Sequence, residues 1–177
     1  MTLPGSRFEE VVLPHLDAAY NLARWLVRDP TLAQDVVQDA AVRALGYFAS
    51  YRGGDARAWL LQIVRNAAYS TLAASSRQIA ESLDDRDADG EPAALQVADP
   101  AADPETALAR IEDRSKLDRA LAALPIELRE CLVLRELEEL SYKQVAEVTG
   151  VPIGTVMSRL WRARRALMQA SAERGRT

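Results

Sequence analysis

A chain of 177 residues with 49% apolar side chains, eight Gly, eight Pro and only two Phe has room for one domain or two small ones, and this composition favours helices over a many-stranded β fold. Its single Cys, Cys131, excludes an intramolecular disulfide and a multi-cysteine zinc site, and the lone His15 leaves little for a histidine-based metal or catalytic centre. The formal charge of −4 is unevenly spread: residues 1–77 carry eight basic and seven acidic side chains, residues 78–106 one and nine, and residues 107–177 thirteen and ten.

The opening stretch MTLPGSRFEEVV lacks a basic-then-apolar signal, and no apolar run approaches the roughly 18 residues of a membrane span, so a cytoplasmic chain with no membrane insertion is expected. A first helix is expected from about Phe8 to Val27. Asp29 and Pro30 then supply an N-cap and a first-turn proline for a second, from about Thr31 to Phe48. In the loop ASYRGGD, Gly53 and Gly54 permit left-handed backbone, and Asp55 can cap a third helix. The apolar spacing of that helix, at Leu60, Ile63, Val64 and Ala67, is helical.

Residues 78–106, QIAESLDDRDADGEPAALQVADPAADPET, hold four Pro or Gly, few large apolar residues and no sustained period, the pattern of a flexible acidic linker. Such a stretch serves as a plain spacer, or as an acidic strip that mimics nucleic acid or binds a basic surface. The expected architecture is all-α, with small helical domains at 1–77 and 107–177 on either side of it.

Asp103-Pro104 opens a helix toward Ala123, and Leu124-Pro125 opens another through about Leu137; Cys131 falls in its apolar run with Leu128, Leu132 and Leu134, a core position. Ser141 and Gln144 have the spacing of a reciprocal capping box, Gly150 can end that helix, and Val151-Pro152 cannot continue it. A second helix restarts near Gly154 or Thr155, which makes a helix-turn-helix. At 100° per residue Val156, Leu160, Ala163 and Leu167 form one stripe, while Ser158, Trp161, Arg162 and Arg165 point the other way. Residues 157–176 hold six Arg against one acid, Glu173. Such a face suits phosphates and guanine edges in a DNA major groove, or it is a solvated helix surface with Trp161 in a domain contact. No Walker loop, Gly-x-Gly-x-x-Gly, metal-ligand cluster or nucleophile elbow is present, so a small enzyme is disfavoured and no cofactor or metal is expected.

The stretch LSYKQVAEVTGVPIGTVMSRLWRARRAL strongly resembles the promoter-reading C-terminal domain of bacterial extracytoplasmic-function sigma factors. In the same order, DPTLAQDVVQDAAVRAL is similar to their polymerase-binding helix and YRGGDARAWLLQIVRNAAYSTL to their promoter-melting loop and helix. The resemblance spans about 8–77 and 107–170. It implies a non-catalytic subunit with core RNA polymerase, promoter DNA and an anti-sigma factor as partners. Asp35, Gln38 and Asp39 would face the polymerase; Tyr51, Arg52, Arg57, Trp59, Arg65 and Asn66 would meet the melted strand. Trp59 also heads the apolar stripe of its helix, a core position. Gly154, Thr155, Met157, Ser158, Arg159, Trp161, Arg162 and Arg165 would lie at or near the minus-35 element. Met157 departs from the Lys or Arg of many relatives and exchanges a hydrogen bond for apolar contact with a thymine methyl. A stand-alone helix-turn-helix regulator is the alternative; it accounts for residues 141–167 but not for the N-terminal motifs.

Overall fold

The structure, a computed structural model, describes residues 4–82 and 104–174. All regular structure among these residues is helical; of the linker expected at 78–106, residues 83–103 lie outside them, while 78–82 and 104–106 belong to helices. The first expected helix is broken. Helix α1 (Pro4–Val12) passes into a 3-10 turn at Leu13–His15 before α2 (Leu16–Val27). Pro14 is the reason, because its ring clashes with the preceding turn and it brings no N–H to an α ladder. Helix α2 ends on Arg28 in the left-handed conformation, φ 60°.

Helix α3 (Pro30–Tyr47) begins where Asp29 Oδ1 accepts from the Leu32 N–H at 2.9 Å. A 3-10 turn at Phe48–Ser50 leads into the loop, where Gly53 and Gly54 have φ of 89° and 95°. Asp55 Oδ1 then accepts from Ala58 N–H at 3.0 Å and starts α4 (Ala56–Ser82). Helix α4 runs past residue 77, since QIAES contains helix formers and no breaker. Helices α2, α3 and α4 pack pairwise around Leu22, Leu26, Val36, Leu60, Leu61 and Val64, each at most 1% exposed. Each such burial stabilises the fold by about 1.5–3 kcal/mol.

In the C-terminal half α5 (Pro104–Ala123) is followed by α6 (Ile126–Leu132), which widens into a π turn at Val133–Leu137 instead of remaining an α-helix to Leu137. Cys131 is fully buried, and burial pushes its thiol up to about 11. Helix α7 (Tyr142–Thr149) carries the full capping box: Ser141 Oγ accepts from Gln144 N–H at 3.1 Å, and Gln144 Oε1 accepts from Ser141 N–H at 2.7 Å. Gly150 closes it at φ 70°, and α8 (Ile153–Arg174) follows at once. Removing the cap in Ser141→Ala costs about 0.5–2 kcal/mol, seen as a lower urea midpoint with an unchanged slope.

The stripe expected on α8 is buried at its first three positions, with α8 packed on α6 and α7: Val156 and Ala163 are inaccessible and Leu160 is 1% exposed, while Leu167 is half-buried. The two halves also pack on each other, α4 against α7 and α2 against α6. Two bodies on a tether gave no reason to expect that contact.

Candidate nucleic-acid interface

Three surfaces carry the residues singled out from the sequence. On α3, Asp35, Gln38 and Asp39 are all exposed while Val36 and Ala40 are buried beneath them. Val42 and Leu45, 71% and 59% exposed, continue the same strip and were missed from sequence because helical spacing alone did not separate them from core positions. Arg43 pairs with Asp39 at 2.8 Å, one turn along.

The second surface is the loop before α4. Phe48, Tyr51 and Trp59 form an aromatic cluster with Phe8. Phe48 and Tyr51 stack at 5.8 Å, and Tyr51 and Trp59 tilt together at 4.8 Å. Trp59 is half-buried there, so it is a wall with one accessible edge and neither a free ring nor a fully enclosed core residue. Tyr51 Oη donates to the Gly54 carbonyl at 3.2 Å and Arg52 Nη1 to that of Ala49 at 3.0 Å, which fixes the loop. Tyr51, Arg52, Asp55, Trp59, Gln62 and Glu147 line an open recess of about 490 Å³. Its aromatic wall and polar rim are what an unstacked base requires.

Asn66 lies exposed on the next turns of α4, its Oδ1 at 3.5 Å from Arg65 Nη1. Arg65 and Arg57, expected to be free for a strand backbone, are engaged instead. Arg65 Nε and Nη2 donate to Glu130 at 2.8 and 3.2 Å, and Arg57 pairs with Glu138. Sequence spacing does not reveal partners 65 and 81 residues away. The one local signal was an acid, Glu130, inside the apolar run LRECLVL.

Asp55 holds the loop and the interface together. The hydrogen bond from Ala58 N–H, and then that from the Gln144 side chain, keep its carboxyl below the ordinary aspartate range. A depressed folded-state pKa means that this stabilisation is complete above about pH 4 and is lost as pH falls through the folded value. Asp55→Asn, which can still cap, should therefore show a flatter fall in thermal midpoint between neutral and acid pH than the unmodified chain.

The third surface is α8. Gly154, Met157, Ser158, Trp161, Arg162 and Arg165 are exposed, and Trp161 is 60% accessible with the Arg165 guanidinium over its ring at 5.2 Å. Thr155 is half-buried. Arg159 does not share the open face: it is largely covered, with Nη1 at 3.4 Å from Glu130. The helix turns it toward α6 instead of outward.

Residues 11–78 match the family Sigma-70 region 2 and residues 114–167 match Sigma-70, region 4. The chain is 36% identical to the RNA polymerase sigma-H factor of Pseudomonas aeruginosa over 92% of its own length and 85% of that protein. It is also 36% identical to the ECF RNA polymerase sigma-E factor of Escherichia coli over 75% and 70% of the two chains. The chain belongs to the extracytoplasmic-function sigma factors. As a sigma factor it directs promoter-specific initiation by RNA polymerase, and sigma factors are non-enzymatic initiation factors. A stand-alone regulator is disfavoured, because the region 2 match has no part in it. The sigma factor RpoE of Bartonella quintana, solved in complex with the anti-sigma factor NepR, superposes with a TM-score of 0.77 at 28% identity, over 94% of this chain and 97% of that one. No helix among the described residues of this sigma factor is long and apolar enough to cross a membrane.

Proposed function

We propose that the domain at residues 1–77 docks on core RNA polymerase through Asp35, Gln38 and Asp39, with Val42 and Leu45 beside them, and captures the melted minus-10 strand. Tyr51, Arg52 and Trp59 wall the base recess, Asn66 reads a base edge, and Arg57 and Arg65 track the backbone. The domain at 107–177 reads duplex minus-35 DNA through Gly154, Thr155, Met157, Ser158, Trp161, Arg162 and Arg165, with Arg159 near that element only where it leaves Glu130, and residues 78–106 link the two. The protein works in the cytoplasm without catalytic activity of its own; the chemistry is the polymerase's. An anti-sigma factor is its third partner, by analogy with the complex of RpoE.

The observation that carries this reading is the exposure of Trp161, Arg162 and Arg165 on the outer face of α8 while the opposite stripe is buried. An exposed indole with arginines beside it offers apolar and cationic contact on one face, the mixture that base edges and phosphates of a groove accept. The acidic and apolar strip on α3 suits a basic protein surface, since charge steers the encounter and apolar burial adds affinity. An overall acidic chain is consistent with DNA contact made only while the polymerase holds it, because tethering supplies effective concentration.

Loading the chain on core polymerase and selecting run-off templates from a genomic fragment pool tests the assignment. New transcripts are expected, and Asn66→Ala should impair strand opening, followed by permanganate reactivity, more than initial binding. The absence of any new start site would refute the reading.

A further inference from the structure

The outer face of α8 carries two kinds of side chain. Ile153, Met157 and Trp161 stand on successive turns within about 80° of one another, and Arg165, Ser158 and Arg162 follow them round the helix. The three apolar side chains are 44%, 52% and 60% exposed. Single exposed apolar residues are ordinary, but three in line, one per turn, make a continuous strip along the edge of a cationic face. The Arg165 guanidinium lies over the Trp161 ring at 5.2 Å, so one face of the indole is held while the side chain stays open to solvent. Gly154, one turn before Met157 and Ser158, has no packing reason to lack a side chain, since a Cβ there would meet nothing within 4 Å. Glycine weakens a helix relative to alanine; what it supplies here is bare backbone that a base edge can approach closely.

We infer that this strip reads the C5-methyl group of pyrimidines in the major groove, so that the bases α8 accepts there are thymine and, for the same methyl contact, 5-methylcytosine. This deepens the minus-35 assignment proposed above and rests on it. The C5-methyl is the apolar feature of the groove edge, and the other marks of base identity there are hydrogen-bond donors and acceptors. Ile153 and Met157 have no donor to offer, so apolar contact is what they can give. A cytosine without the methyl leaves the strip facing water, and methylation at C5 turns that weak site into a stronger one. Promoter choice by this chain therefore responds to cytosine methylation.

Charge and spacing both select DNA as the occupant of the strip. It borders Arg165 and Arg162 in a stretch, residues 157–176, that holds six Arg against one acid, and such a border attracts a polyanion. Met157 and Trp161 are one turn apart, about 6 Å along the axis at 1.5 Å per residue, while bases on one strand rise by about 3.4 Å per step. The two methyl contacts therefore fall about two positions apart, with the arginines beside them free for guanine edges and phosphates.

Deoxyuridine differs from thymidine by this methyl alone, and cytosine from 5-methylcytosine likewise. On a duplex template that the loaded polymerase transcribes, each pyrimidine of the upstream element is exchanged between its methylated and unmethylated forms, on either strand, and binding of the loaded polymerase is measured. At one or two positions uracil in place of thymine should weaken binding about fourfold, the worth of covering one methyl group. At the same positions 5-methylcytosine should bind about fourfold better than cytosine. Met157→Ala should abolish the methyl effect at one position and Trp161→Ala at the other, whereas Arg162→Ala should leave both. The decisive changes are made in the DNA, so they do not depend on how a variant folds. Equal affinity for the methylated and unmethylated forms at every position overturns the inference, and so does a methyl effect that survives in both apolar variants. A gain with thymine and none with 5-methylcytosine would show that the thymine O4 is read instead of the methyl, and overturns it too. Failure of the loaded polymerase to start new transcripts from any template strikes the parent assignment, and this inference with it.

Discussion

Leu160→Ala lowers the unfolding free energy of the C-terminal domain by about 2–5 kcal/mol, the range for truncating a fully buried leucine and leaving a partly relaxed cavity. Leu160 is 1% exposed, between Val156 and Ala163 on the stripe that seats α8 on α6 and α7. Urea denaturation followed by circular dichroism measures the loss. A change below about 1 kcal/mol would mean that α8 is not held by this stripe, contrary to the burial pattern.

Arg162→Ala behaves in the opposite way. Its side chain is exposed, so stability should stay within about 0.5 kcal/mol of the unmodified chain. Binding of the loaded polymerase to minus-35 duplex should weaken by about 1–3 kcal/mol. Base contact and phosphate contact separate in the same assay: losing a base contact relaxes preference at one promoter position, whereas losing a phosphate contact weakens all sequences alike and reduces the salt slope by about one. Unaltered affinity for every template would remove Arg162 from the reading surface. Leu160 and Arg162 lie two residues apart on one helix, so the pair separates what the inner stripe does from what the outer one does.

Much of this molecule was legible before its fold. Caps at Asp29, Asp55 and Ser141, the glycines of the loop and Gly150 act through atoms three or four residues away, so local spacing dictates them. The same holds for the division of α8 into a buried stripe and an open face, which depends only on helical pitch. Where reading by pitch failed, a covalent or packing detail intervened: Pro14 broke the first helix, and the chain widened into a π turn after Leu132.

The sequence by itself determined the helices, their order, their capped ends and which side of α8 faces outward, because hydrogen bonds and periodicity over a few residues decide these. Only the tertiary structure decided where Arg57, Arg65 and Arg159 point. Each is drawn to a carboxylate, two of them across the domain contact, and charge pairing between residues so far apart depends on how the helices are brought together, which no spacing along the chain encodes.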